Sequence, residues 1–525
     1  MTNIAVVLGL LMLVTALAVY ANRLKVPYPI LLVLVGLGIG FVPGLPAVHL
    51  SPDIVLLVFL PPILYSAAWY TTWNEFKQSA EPITVLALGL VLVTTLVVAW
   101  AAHSVVPGLG WAAAFTLGAI VSPPDAVAAT AVAKQLNLPR KLVTVLEGES
   151  LVNDSTGLIA YRFGVAAVVT GAFSLAEASW RFVVVAGGGV AIGLLVGWLA
   201  VQVHRRVKVE PAIETMITPF AAYLPAEFFH VSGVLGVVAA ELYVGKHAPE
   251  LHSPQMRMHA VAVWDMLIFS LNSLIFILIG LQLPQIMAAI SGQPLGKLLT
   301  EAAVVSGAAI AARLLFIYAA DLLSGRLRRA LGKRPVFPSL KFATVLGWTG
   351  MRGVVSLAAA LALPLTTADG TPFPHRNEIL FLTFAVILAT LVLQGLTLPA
   401  LIRRLRFAAD TSHHEQDHLA RRTALEAAQA HLEAHFANHP DLPPAVVAHL
   451  RQTYQGRTKH LHERHHLAQN PASETAVFLR LSLEALAVER RTIVDLRNQG
   501  LVNDEVLHAI ERDLDLEEAR FGPAA

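Results

Sequence analysis

The 525-residue chain contains no cysteine. That excludes disulfides and thiol chemistry, and leaves the compartment unreadable from cysteine usage. Charge is scarce as well. Asp, Glu, Lys and Arg make up 14% of the residues against 55% hydrophobic, and mean hydropathy is +0.62. This is the composition of a polytopic membrane protein, well outside soluble averages. No nucleotide loop of the Gly-x-x-x-x-Gly-Lys-Ser/Thr type is present, and no His-Glu-x-x-His pair lies within the apolar runs. Gly187-Gly188-Gly189 follows no βαβ pattern, so it is read as close helix packing. The net charge of +2 says little as a total; its distribution says more.

The apolar runs give about thirteen candidate membrane spans, from Ile4–Tyr20 to Ile379–Ile402. The opening run has the length of a signal peptide but lacks a basic start and a clear cleavage site, so it is read as a retained helix. Basic residues fall in every second connection: Arg23 and Lys25; Lys77; Lys134, Arg140 and Lys141; Arg205, Arg206 and Lys208; Lys246 and Arg257. The series ends with Arg326, Arg328, Arg329, Lys333 and Arg334, and then Arg403, Arg404 and Arg406. The positive-inside rule then puts the N-terminus outside and the C-terminus in the cytoplasm, which requires an odd number of spans.

The sixth run, about Leu142 to Val169, carries Glu147-Gly148-Glu149-Ser150-Leu151-Val152-Asn153-Asp154. Charge at membrane depth is expensive and marks a functional site by default. Glu149 and Asn153 share a helix face, as do Ser150 and Asp154, and the two faces are about 100° apart. Two other runs are interrupted. The fifth holds Ser122-Pro123-Pro124-Asp125, whose prolines leave the carbonyls of Ala119 and Ile120 without helical donors. The twelfth holds Gly347-Trp348-Thr349-Gly350-Met351-Arg352-Gly353. Broken helices at membrane depth are tolerated in protein or beside a wet cavity. These two are seven runs apart, an odd number, so equivalent helices would run in opposite directions. The expected fold is therefore all-α and polytopic, with inverted repeats whose broken helices cross at a midplane site.

Arg352 is permanently charged and needs a carboxylate; Glu149 is the expected partner in a structural pair. Asp154 is then left without a fixed cation, free to hold a proton or a small cation but not both. Asp154, Ser150, Asp125 and a carbonyl near the break offer the oxygen ligands that Na⁺ prefers. Arg162 and Arg313 are expected to pair internally or snorkel, and Glu241 and Asp265 to be structural.

With those residues in view, the chain resembles a bacterial member of the monovalent cation:proton antiporter superfamily, in the sodium/proton exchanger branch. The matching blocks are Leu60-Pro61-Pro62-Ile63-Leu64-Tyr65, Ser122-Pro123-Pro124-Asp125-Ala126-Val127-Ala128, Gly148-Glu149-Ser150-Leu151-Val152-Asn153-Asp154 and Gly350-Met351-Arg352-Gly353-Val354-Val355-Ser356-Leu357. The resemblance implies that Asn153-Asp154 is the ion site, that Asp125 and Ser150 help bind the cation, and that Glu149 pairs with Arg352. It implies a homodimer, with a dimerisation domain and a mobile six-helix core. The expected activity is Na⁺/H⁺ antiport across the bacterial inner membrane, contributing to pH homeostasis, with no cofactor and no nucleic-acid partner. The alternatives are an antiporter preferring K⁺, a cation channel using the same acidic site, and an intramembrane hydrolase. One departure concerns the third run, where many relatives carry a glutamate after the double proline; here the stretch reads Tyr65-Ser66-Ala67-Ala68.

After residues 1–406, the expected transmembrane domain, the composition changes. Residues 407–525 are rich in Ala, Glu, Leu, Arg and His and read as a cytoplasmic tail of amphipathic helices, broken around Pro440, Pro443-Pro444 and Asn470-Pro471. Its helices are expected to dimerise or dock on the membrane domain. His460, His462, His465 and His466 are expected to be solvated, with metal binding or pH sensing as alternatives.

Overall fold

The fold is described from a computed structural model. It describes residues 9, 12–17, 27–42, 52–70, 73–136, 138–206, 211–251, 254–290, 292–330, 337, 339–407, 412–464, 474–499 and 501–521. The chain forms two compact units, Met1–Ala409 and Asp410–Ala525. Among the described residues every regular element is helical.

The first unit begins with α1 (Tyr28–Gly40), α2 (52–70) and α3 (Ala80–Val105). The fifth apolar run forms two half-helices, α4 (Trp111–Val121) and α5 (Ala126–Gln135). Then come α6 (Arg140–Thr170), α7 (Leu175–Arg206), α8 (Pro211–Phe228), α9 (Gly233–Leu251), α10 (Pro254–Leu281) and α11 (Leu295–Ala330). The twelfth run is also split, into α12 (Leu340–Trp348) and α13 (Val354–Leu361). The last helix is α14 (Arg376–Leu405). Both interruptions thus fall where proline and glycine remove helical donors or side chains.

Among the described residues, six helices are long and apolar enough to cross a bilayer: α3, the fifth run, α7, Ala260–Ala289, Leu295–Leu323 and α14. α1 and Pro52–Ala68 are shorter apolar helices. α6 is long enough at 31 residues, but Glu147, Glu149, Asp154, Arg140, Lys141 and Arg162 dilute its apolar character. The first expected span, 4–20, lies largely outside the described residues.

Two packing groups build the unit. The larger joins α1–α6 and α10–α14 through side chains such as Leu86, Leu117, Leu142, Phe276, Leu346 and Phe384. The smaller gathers Leu60, Leu64 and Tyr65 of α2 with Tyr223, Val237 and Trp264 of α8–α10, and takes Leu151 from α6. Tyr65 stacks on Trp264 with ring centroids 5.0 Å apart. Of the glycine run expected to permit close packing, Gly188 and Gly189 do so and Gly187 does not; Gly189, together with Gly193 and Gly197 further along α7, lies against Ser232, Gly236 and Ala240 beside or within α9, leaving no room for a Cβ. A small residue at every fourth position lets two backbones meet along a stripe.

The second unit holds α15 (Ser412–Asn438), α16 (Pro444–Arg464), α17 (Glu474–Asn498) and α18 (Asp504–Phe521). Arg451 on α16 meets Glu433 on α15 at 2.5 Å, and Arg490 on α17 meets Asp515 and Glu518 on α18 at 2.7 and 2.8 Å. His460 and His462 lie on α16 with side chains outside the described residues; His465 and His466 lie outside them altogether.

Candidate functional site

The two broken runs meet. The Asp125 N–H donates to the carbonyl of Met351 at 2.7 Å, tying one break to the other. The Asp125 carboxylate accepts from the Val127 N–H at 2.8 Å and lies beside the N-terminus of α13, next to Val354 and over Gly353. Asp125 therefore caps the first turns of both α5 and α13, where unpaired N–H groups and helix dipoles favour a negative charge. Its carboxylate fills the space over Gly353, where a Cβ would collide with it.

Arg352 does the converse. Its guanidinium donates to the carbonyl of Val121 at 2.9 Å, to that of Gly350, and to Ala309 on α11 at 3.4 Å. The carbonyl ends of α4 and α12 are thus met by one buried cation, and the Arg352 N–H is held by the Thr390 hydroxyl at 3.1 Å. Of the carbonyls freed by the double proline, Ala119 accepts from the Ser122 hydroxyl at 3.1 Å. Asn153 donates through Nδ2 to the carbonyl of Pro124 at 3.3 Å, so it braces the break from α6. Ser150 Oγ accepts from the Ala126 N–H at 3.4 Å.

Glu149 is not the partner of Arg352. It pairs with Arg313 of α11 in a forked arrangement at 2.5 and 2.8 Å. Arg313 also donates to the carbonyl of Leu346 at 3.1 Å, and both charged side chains are buried. The expected Glu149–Arg352 pair is corrected for a physical reason. The two breaks expose enough backbone carbonyl to satisfy Arg352, whereas Arg313 emerges into packed helices and needs a carboxylate. The signal in the sequence was an arginine in the middle of the eleventh apolar run; nothing there said which of two buried arginines faced Glu149.

Asp154 is 7% exposed and makes no hydrogen bond or ion pair among the described residues. It lines a cavity of about 280 Å³ with Asp125 and Ser150. Residues the sequence did not single out, Tyr28, Thr130, Asn272 and Ser356, line it too. Pro123 and Gly353 are in its wall; Gly350 and Pro124 support it from the breaks. The lining takes Glu147, Ser150, Leu151 and Asp154 from α6 and includes the exposed Asp265. Beyond Asp154, α6 makes two polar contacts with the α8–α9 region. Ser232 donates to Ser155 at 3.3 Å, and Arg162 meets Glu227 at 2.7 Å. Glu241 is fully buried in α9. Ser66 donates to the carbonyl of Ile63 at 3.0 Å, within its own helix.

Comparison with known proteins agrees with this architecture. Residues 9–404 match the transmembrane sodium/hydrogen exchanger family. An uncharacterised Na⁺/H⁺ exchanger of Mycobacterium bovis is 35% identical over 99% of this chain and 96% of its own. A sodium, potassium, lithium and rubidium/H⁺ antiporter of Bacillus pumilus is 35% identical over 72% of this chain and 58% of its own. The sodium/proton antiporter MjNhaP1 of Methanocaldococcus jannaschii shares the fold, with a TM-score of 0.61 at 20% identity, over 77% of this chain and 99% of its own. The chain is a multi-pass membrane protein of the monovalent cation:proton antiporter superfamily and belongs to its sodium/hydrogen exchanger family.

Proposed function

We propose that the protein is a secondary antiporter that exchanges a monovalent cation, Na⁺ first, for a proton at Asp154. One observation carries the reading. Asp154 is a buried carboxylate at the wall of a cavity with no donor or counter-charge among the described residues, while Glu149, Arg313, Arg352 and Asp125 each have partners. A bare carboxylate in low dielectric must take a proton or a cation. Two ligands that exclude each other at one group produce exchange once access alternates between the two sides of the membrane.

Cation/proton exchange is what the relatives' names record. The alternating-access part is supported by a cavity whose lining includes both the buried Asp154 and the exposed Asp265, with the Ser155–Ser232 and Arg162–Glu227 contacts further along α6. The two broken helices meeting at Asp125 and Arg352 support an inverted-repeat arrangement. The loop charges support an outside N-terminus and a cytoplasmic C-terminus, and kinship with the family supports a homodimer. Asp125 and Ser150 are assigned to the cation with Asp154, and Asn153 to holding the break. The Glu149–Arg313 pair carries constant charge, and Asn153 cannot titrate, so one carboxylate changes occupancy and the exchange is electroneutral. No enzymatic step and no cofactor is assigned.

Reconstitution tests it. Proteoliposomes loaded with a pH-sensitive dye should show proton movement on addition of Na⁺, Li⁺ or K⁺, in an order that identifies the preferred cation. Cation current in the absence of coupled proton movement would contradict antiport and indicate a channel.

A further inference from the structure

Two polar side chains in the cavity wall do nothing for the fold. Ser356 lies in the first turn of α13 and is 1% exposed, and its Oγ has no hydrogen-bond partner. Asn272 on α10 is 5% exposed and makes no hydrogen bond among the described residues. Two other hydroxyls of the wall behave differently. Thr130 donates to Ala126 at 2.9 Å and Ser66 to Ile63 at 3.0 Å, each within its own helix. Ser356 has no such outlet. The carbonyls three and four residues back belong to Gly353 and Arg352, which both stand in the non-helical break. A buried hydroxyl without a partner is destabilising, so stability does not account for a serine at this position.

We propose that Ser356 Oγ and Asn272 Oδ1 are further ligands of the transported cation and help set which monovalent cation the cavity takes. The proposal rests on the reading of exchange at Asp154. Hydroxyl and carboxamide oxygens are hard, neutral donors suited to alkali cations. Being neutral, they add ligands without adding a second exchangeable charge. Their placement fits the task. Ser356 is three residues from Gly353, over which the Asp125 carboxylate lies, and Asn272 lines the cavity from α10, so the ligand set joins the helix break to a helix outside it.

The test compares wild type with Ser356→Ala, Ser356→Thr, Ser356→Cys and Asn272→Ala in proteoliposomes, using Na⁺ and K⁺. A second readout is the Na⁺-dependent rise in Tm of the solubilised protein. Loss of one oxygen ligand should raise the apparent KM for Na⁺ by roughly tenfold and change the Na⁺/K⁺ ratio. Ser356→Thr should restore most of the affinity. The Tm of Ser356→Ala without Na⁺ should equal or exceed that of wild type, a result that a structural serine would not give. Ser356→Cys, nearly isosteric but with a soft sulfur, gives the same comparison if the alanine variant does not fold. Wild-type KM, selectivity and Na⁺-dependent Tm shift in the Ser356 variants would overturn the proposal. If wild type itself moves no protons, the exchange reading fails, and the Tm shift still decides whether Ser356 and Asn272 bind Na⁺.

Discussion

At the scale of single residues, the site is a separation of roles among buried charges. Asp125 and Arg352 answer the exposed ends of four half-helices, Glu149 and Arg313 answer each other, and Asp154 is left over. Asp154→Asn should therefore abolish cation-dependent proton flux while leaving yield and Tm near wild type, since no fold contact depends on the carboxylate. Flux at the wild-type level in that variant would remove Asp154 from the mechanism. The corrected pair makes a sharper test. Glu149→Ala and Arg313→Ala should each cost about 3–5 kcal/mol, because each leaves an uncompensated buried charge. In a denaturation cycle the double variant should lose much less than the sum of the singles; additive losses would show that the two are not partners. The sequence displayed Asp125, Asn153 and Asp154 openly, because charge in an apolar run is conspicuous. It did not display the pairing of Glu149, because Arg313 and Arg352 are both central in apolar runs and only packing decides which one reaches it.

At the scale of elements, the breaks were legible and the count was not. Pro123-Pro124 and the Gly350–Gly353 stretch announce lost helical donors in any sequence, and both helices stop there. The π-helical turns at Val55–Phe59, Val85–Leu90 and Thr390–Gln394 have no such signature. They arise where one extra residue is accommodated in a continuing helix. Likewise α6 is a helix by its apolar spacing but fails a hydropathy criterion, because it carries the site's charges. Gly353 allows a direct test of the crossing. A methyl group there would occupy the place of the Asp125 carboxylate, displacing the charge that caps α5 and α13. Gly353→Ala should lower folded yield and eliminate flux, whereas Gly187→Ala, whose added methyl meets nothing within 4 Å, should change neither. Normal flux in Gly353→Ala would mean that Asp125 need not sit between the half-helices.

At the scale of the whole molecule, the proposed ion site lies in one unit and most of the histidines in the other. Ending the chain after residue 409 should leave cation-dependent flux intact and shift its pH profile; a folded truncated protein with no flux at any pH would place the tail in the core mechanism. The Glu433–Arg451 pair does not supply a switch near neutrality. The hydrogen bond from Arg451 holds the Glu433 carboxyl below the usual glutamate range. The stability it contributes is present above the unfolded-state pKa and is lost only as pH falls through the lower folded-state value, on the acid side of about 4.5. Any contribution of the tail to pH dependence near neutrality falls to other groups, such as its histidines. Charge counting at this scale predicts a flux indifferent to an imposed diffusion potential, since moving one net charge would cost about 2.3 kcal/mol per 100 mV. The central claim, that a proton and a cation compete for one carboxylate, is tested most directly by counting protons released when Na⁺ binds to the purified protein in weakly buffered solution. On the acid side of the binding transition the account predicts a release approaching one proton per Na⁺ in wild type, and none in Asp154→Asn. Na⁺ binding without proton release, or an undiminished release from Asp154→Asn, would contradict it.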